Sequence, residues 1–151
     1  LRVLRRHRLV EMFLVQVLKL DWSEVHPEAE ILEHAISDKV LERIDGLLGR
    51  PQFDPHGDPI PSAAGRFTSR RLTNLVECKV GEPMRVARVI DQDPRFLRFV
   101  DERGLTPGTR VVLEMRDEMA DAVTLRAGEG APMTVGTTVA AKIMVEPEDA
   151  T

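Results

Sequence analysis

The chain has no tyrosine, one tryptophan and one cysteine among 151 residues, and aromatic residues make up only 4% of it. Any core must therefore be aliphatic. The lone Cys78 excludes an internal disulfide and fits a reducing cytoplasm; its expected role is an ordinary half-buried strand residue rather than a reactive thiol. No apolar run approaches the roughly 18 residues of a membrane span, and no signal peptide is visible. An excess of positive charge is also missing. The net charge is -4 and the pI about 5.6, which excludes the basic footprint of a nucleic-acid binder, so any DNA contact must come from elsewhere. Repeats and low-complexity tracts are absent. The first residue is Leu1 rather than methionine, and L-R-V-L-R-R-H-R-L-V already has a helical pattern. That predicts a piece of a longer protein, cut inside a helix.

What is present is ordinary for a globular chain: 42% hydrophobic and 30% charged residues, enough for one domain or two small ones. Residues 1–20 place Val3, Leu9, Val10, Phe13, Leu14, Val17, Leu18 and Leu20 on one broad face at about 100° per residue. Arg5, Arg8, Gln16 and Lys19 fall opposite. A second helix is expected over 23–36, with Ser23 as N-cap and Val25, Ala29, Leu32 and Ile36 as an apolar stripe. A third is expected over 38–48, capped by Ser37 and stopped by Gly49, with Val40, Leu41, Ile44, Leu47 and Leu48 on its apolar face. P-Q-F-D-P-H-G-D-P-I-P over 51–61 must be a loop.

From about residue 76 the pattern changes to short β runs: 84–90, 109–115, 122–126, 132–135 and 140–145. A short helix ended by Gly104 interrupts them. Five such strands predict a small barrel. The expected fold class is α+β: a helical domain of about three helices with its Pro-rich loop over 1–63, a linker over 64–75, and a β domain over 76–147. The acidic end, 146–151, is expected to fray.

The chemistry is concentrated near the start. His7 and Glu11 form H-x-x-x-E; His26, Glu30, Glu33 and His34 form H-x-x-x-E-x-x-E-H. Residues four apart on a helix have side chains close enough to share one cation. Glu30, Glu33 and His34 can present three ligands around one point. Asp54 and His56, two residues apart in the Pro-rich loop, are a further candidate pair. Carboxylates and imidazoles without thiolates suit Mn²⁺, Fe²⁺ or Zn²⁺ and argue against a cysteine-rich structural zinc site. No nucleophile–base pair is present, so no catalytic residue is assigned and an enzyme is not expected.

With these blocks assembled, the chain resembles the diphtheria-toxin-repressor family of metal-dependent transcriptional regulators. The resemblance rests on R-H-R-L-V-E-M-F-L (6–14), V-H-P-E-A-E-I-L-E-H-A-I-S-D-K-V (25–40) and P-H-G-D-P-I-P (55–61). It extends to V-G-E-P-M-R-V-A-R-V and T-P-G-T-R-V, which look like the family's SH3-like, FeoA-like domain. The resemblance implies a helical dimerisation domain followed by that small β-barrel, with a DNA-binding winged helix-turn-helix preceding Leu1. It also implies that His7, Glu11 and His26 form an ancillary metal site. Asp93 of the β domain is the best-aligned further ligand there, and Asp54 and His56 are additional candidates. Glu30, Glu33 and His34 match the primary, regulatory site, whose other ligands come from the winged domain. Iron-sensing members place a cysteine at the position of Glu30 and manganese-sensing members a glutamate. A harder carboxylate favours Mn²⁺, with Fe²⁺ second, and other divalent metals substitute in vitro.

The function so implied is the dimerisation and metal-sensing part of a Mn²⁺/Fe²⁺-dependent repressor of metal-homeostasis genes. It would act in the cytoplasm as a homodimer, reaching operator DNA through the winged domain and touching no membrane. Two alternatives are a FeoA-like interaction module in ferrous iron transport and a dinuclear metalloenzyme.

Overall fold

The structure is a computed structural model that describes residues 2–148. The chain divides between Ser69 and Arg70 into two compact units. The first holds three helices, α1 (Arg2–Gln16), α2 (Val25–Glu33) and α3 (Asp38–Leu47). Leu9, Val10 and Leu14 of α1 meet Val25 and Ala29 of α2, Leu41 of α3 and Ile60 of the Pro-rich loop in one buried aliphatic cluster. Ionic contacts surround it. Arg5 reaches Asp45 of α3 at 3.1 Å, and Arg6 donates to the carbonyls of Glu33 and Ile36 beyond the end of α2. Arg8 donates to the carbonyl of Pro59, tying the loop to α1. Arg5 and Arg8, which fall opposite the apolar face in the sequence, are therefore ties between elements, as is Arg6.

Helix ends follow local chemistry with two departures. The Ser37 hydroxyl accepts from the Val40 N–H at 3.2 Å, and α3 stops where Gly49 turns to φ +77°. The Arg50 N–H then closes back onto the Asp45 carbonyl at 2.8 Å. However, α1 ends at Gln16 rather than 20, because the chain turns left-handed at Lys19 (φ 62°) and the Leu20 N–H bonds back to the Leu14 carbonyl at 3.0 Å. Helix α2 is also shorter than expected. Its N-cap is Glu24, without a side-chain cap, and the Ser23 hydroxyl is buried with no hydrogen-bond partner.

The second unit is a six-stranded antiparallel sheet in the order β1-β6-β2-β3-β4-β5. The strands are β1 (Thr73–Asn74), β2 (Pro83–Val89), β3 (Arg110–Asp117), β4 (Ala122–Ala127), β5 (Met133–Gly136) and β6 (Ile143–Pro147). Helix α4 (Pro94–Glu102) lies between β2 and β3, and the short α5 (Thr137–Ala140) between β5 and β6. Register shifts at Val86/Arg88 and Leu113/Met115 mark bulges, which bend and twist strands. Val86, Val111, Leu113, Val123, Leu125, Ile143 and Val145 alternate inward and are buried, with Leu97 and Val100 of α4 among the buried residues of this unit.

Two elements escape the periodicity reading: β1 is too short to alternate, and α5 lies in the gap between the expected strands 132–135 and 140–145, overlapping the second only at Ala140. Cys78 is buried in a bend rather than half-buried in a strand, and burial pushes its thiol pKa up. Glu146 is paired within β6, so the expected fraying does not begin there. The rest of that expectation, 149–151, and the reading placed on Leu1 lie outside the described residues.

Candidate metal centre

Glu11 is the centre of the first unit's chemistry. It stands on the buried face of α1, 1% exposed, between Leu9, Val10 and Leu14. An ionised carboxylate in such a place costs several kcal/mol unless opposite charge or donors meet it. The helical pitch places His7 one turn before it, with Nε2 3.3 Å from Glu11 Oε1. Packing of α1 on α2 adds His26, whose Nδ1 lies 3.0 Å from His7 Nε2 and 3.7 Å from Glu11 Oε2. The two imidazoles meet edge to face with centroids 4.7 Å apart.

The imidazoles also have outer partners. His7 Nδ1 lies 3.1 Å from Glu33 Oε2, and His26 Nε2 lies 3.2 Å from Glu30 Oε1. Carboxylates accept on both sides of the His7 ring, Glu33 at Nδ1 and Glu11 at Nε2. A cation among His7 Nε2, His26 Nδ1 and Glu11 would take the lone pairs of those two nitrogens and leave the ring hydrogens directed at Glu33 and Glu30. This is the carboxylate–histidine arrangement that orients metal-ligating imidazoles and raises their basicity. Without a cation the same geometry attracts a proton. The His7 pKa is raised, chiefly by its bond to Glu11 against the opposing effect of burial, with the charge of Glu33 adding to the rise.

A second group lies on the same carboxylate. Glu11, Asp54 and His56 are all buried, and their ligand atoms fall within 4.8 Å of one another, as do those of His7, Glu11 and His26. Asp54 builds its own turn: Oδ1 accepts from the N–H groups of His56 and Asp58, each at 2.9 Å. His56 is held by Nε2 on the Trp22 carbonyl at 3.0 Å and by stacking against the Trp22 ring at 5.4 Å. Burial opposes its charge, but Asp54, the Trp22 carbonyl and Glu11 outweigh it and raise its pKa. Glu11 Oε2, Asp54 Oδ2 and His56 Nδ1 have no hydrogen-bond partner.

Among the described residues Glu30, Glu33 and His34 do not gather into a triad of their own. Glu33 is buried and shared: Oε2 serves His7 while Oε1 lies 3.7 Å from His34 Nε2. Glu30 is exposed, and so is His34 at 78%. Val3, Leu4, His7, His26, Glu30 and Glu33 line a recess of about 390 Å³. Asp93 belongs to the other unit, where it caps α4 through the Arg95 N–H at 2.8 Å and pairs with the Arg95 side chain at 3.0 Å. Those bonds to Arg95 hold its carboxyl below the usual range. The roles of Trp22 and of Glu33 toward His7 are not visible in the spacing. Trp22 acts through a backbone carbonyl, and Glu33 is paired in sequence with Glu30 and His34, not with His7.

The donor set is nitrogen and oxygen only, with lone pairs converging in a buried place, which fits a divalent cation of the Mn²⁺, Fe²⁺ or Zn²⁺ kind. Residues 1–62 match the family described as iron dependent repressor, metal binding and dimerisation domain, and residues 73–147 match the FeoA domain. The iron-dependent repressor IdeR of Mycobacterium leprae (strain TN) is 35% identical over 124 residues, covering 74% of this chain and 54% of the relative. The diphtheria toxin repressor of Corynebacterium efficiens is 28% identical over 154 residues, 85% of this chain and 67% of that protein. Among solved structures, a manganese-dependent transcriptional repressor in complex with manganese is 42% identical with a TM-score of 0.87, covering 96% of this chain and 69% of that one. The manganese regulator SloR is 33% identical at a TM-score of 0.79, covering 97% and 67%. The chain spans about half the length of the first curated relatives it matches. Matching across both units, joined to the buried imidazole–carboxylate cluster, shows that this chain belongs to the diphtheria-toxin-repressor family of metal-dependent transcriptional regulators.

Proposed function

We propose that this chain is the dimerisation and metal-sensing part of a Mn²⁺/Fe²⁺-dependent transcriptional repressor controlling metal-homeostasis genes. The observation that carries the reading is the convergence of His7 Nε2 and His26 Nδ1 on the buried Glu11, with Glu33 and Glu30 holding the opposite ring nitrogens. A bound divalent cation supplies the positive charge that lets these acceptors remain buried together. His7, Glu11 and His26 are the ancillary ligands, to which Asp93 of the FeoA-like unit and the Asp54/His56 loop are candidate additions. Glu30, Glu33 and His34 are this chain's share of the regulatory site, completed by ligands from a winged DNA-binding domain of the longer protein.

Glu30 presents a hard carboxylate, which supports Mn²⁺ over Fe²⁺ as the physiological ion. The exposed Glu30 and His34 stand ready to join a second segment, whereas His7 and Glu11 are already enclosed. Ligation that prefers one arrangement of a dimer's DNA-reading heads shifts the population toward it by the affinity difference between the states. Such a protein works in the cytoplasm as a homodimer on operator DNA. No helix of the described residues is long and apolar enough to cross a membrane. The relatives are named as repressors rather than enzymes, and the match over 1–62 accounts for the histidine blocks that a transport module would leave unused.

Titration calorimetry of this chain with Mn²⁺ tests the proposal. Replacing Glu11 or His26 with Ala should weaken binding at least about tenfold, the cost seen even for outer partners of metal ligands. Unchanged titration curves in both variants would remove the assignment.

A further inference from the structure

Glu33 serves two imidazoles: Oε2 faces His7 and Oε1 faces His34. It is also the last residue of α2, where the helix has no following turn to hold it and ends fray. The N–H groups of Ala35 and Ile36 turn back to the Leu32 carbonyl, not to that of Glu33. Arg6 supplies the donors instead. Its Nη2 lies 2.8 Å from the Glu33 carbonyl and also reaches the Ile36 carbonyl, Nε lies 3.3 Å from the Glu33 carbonyl, and Nη1 bonds Asp38 Oδ1 at 2.9 Å. One guanidinium thus joins the last residue of α2, the turn after it and the first residue of α3. Its side chain is only 16% exposed, so water competes little for these bonds.

The next residue on α1 is His7, which meets the side chain of Glu33 as Arg6 meets its backbone. Arg6 is no ligand itself, because a guanidinium is always charged and offers only donors. We propose that Arg6 is a positioning residue for metal sensing. It fastens the end of α2 to α1, so that the Glu33 carboxylate stays on His7 and faces His34. This rests on the metal-sensing reading and deepens it. The chemistry of the contact calls for arginine. Five donors in a planar fork span two carbonyls and a carboxylate, whereas a lysine ammonium is a single point of charge. A cation at the end of α2 is also favoured by the partial negative charge of its carbonyls. Arg5 and Arg8, the other ties of α1, run instead to Asp45 of α3 and to the Pro59 carbonyl.

A double-mutant cycle read by Mn²⁺ calorimetry of this 151-residue chain tests the role. Arg6→Met should weaken binding about tenfold, the lower end of the loss seen when an outer partner of a metal ligand is removed. In a Glu33→Gln background the same change should alter affinity by less than about twofold, because the carboxylate through which Arg6 acts is already gone. Arg5→Met cuts a tie of the same kind elsewhere on α1 and should leave affinity within about twofold of wild type. Circular dichroism identifies any variant that fails to fold. If Arg6→Met does, Arg6→Lys, which keeps the charge and loses the fork, takes its place in the cycle under the same criteria. Wild-type affinity in the Arg6 variant overturns the proposal. So does a loss as large with Glu33→Gln as without it, or an equal loss from Arg5→Met, since either marks a merely structural tie. If His26→Ala weakens binding in that experiment, the metal-sensing reading survives. Wild-type protein that binds no Mn²⁺ overturns both.

Discussion

A buried carboxylate that holds three histidines' worth of lone pairs at bay is a local demand for positive charge, and the metal-free chain must answer it with protons. His7 does so through Glu11, and His56 through Asp54; both imidazole pKa values are raised above the ordinary 6.5. The sign of the consequence is fixed. A group whose pKa rises on folding stabilises the fold fully below its unfolded value, near 6.5, and that contribution fades as pH rises through the raised value. In the presence of a chelator the melting temperature should therefore fall as pH is taken from about 6 to about 8. Mn²⁺ affinity should move the other way, because each bound ion displaces a proton. Differential scanning calorimetry with chelator checks the first, and a flat profile would mean that the imidazoles are not the proton sites. Glu11→Gln should flatten the same profile by removing the partner of His7.

At the level of single elements, most of the chain was legible. The Ser37 cap, the α3 stripe and the Gly49 stop are interactions within a few residues of each other, so sequence spacing states them. Replacing Ser37 with Ala should cost about 1 kcal/mol by leaving the Val40 N–H without its acceptor. Gly49→Ala should cost about 1–2 kcal/mol because its φ of +77° is left-handed backbone. Urea midpoints should fall for both with unchanged slope. The misread ends have one cause. Leu20 and Ile36 continue the apolar pattern and pack against the core from outside the helices once the backbone has turned, whereas Val17 and Leu18, expected on the apolar face, are exposed. Periodicity records which residues face the core and not which hydrogen bonds hold them. For β1, two residues leave no pattern to read; its existence depends on Thr73 and Asn74 finding Val145 and Met144 of β6.

On the scale of the whole molecule, the helical unit leaves large apolar side chains in water. Ile31 of α2 is 71% exposed and Leu47 of α3 is 67% exposed, with Val40 one heptad before Leu47 on the same face. No described element of that unit covers them, and the matching family is described as a dimerisation domain. Ile31→Asp or Leu47→Asp should convert the protein from dimer to monomer in sedimentation velocity while leaving its helical circular dichroism intact. A wild-type chain that sediments as a monomer at micromolar concentration would count against the homodimer.

The division of labour between sequence and fold follows from the range of the forces. His7 with Glu11, His26 with Glu30 and the Asp54 turn are set by helix pitch and by bonds inside a loop, so the amino-acid order alone determines them. It also determines the class of ion, because no thiolate stands among the candidate ligands. Tertiary structure decided which of these local pieces face one another. Packing of α1 on α2 put Glu33 behind the imidazole of His7 and brought His26 to Glu11. The Trp22 carbonyl turned His56 toward Glu11, giving one carboxylate two sets of partners. Those approaches depend on how aliphatic side chains from separate segments fill a common core, and spacing along the chain carries no record of that distance.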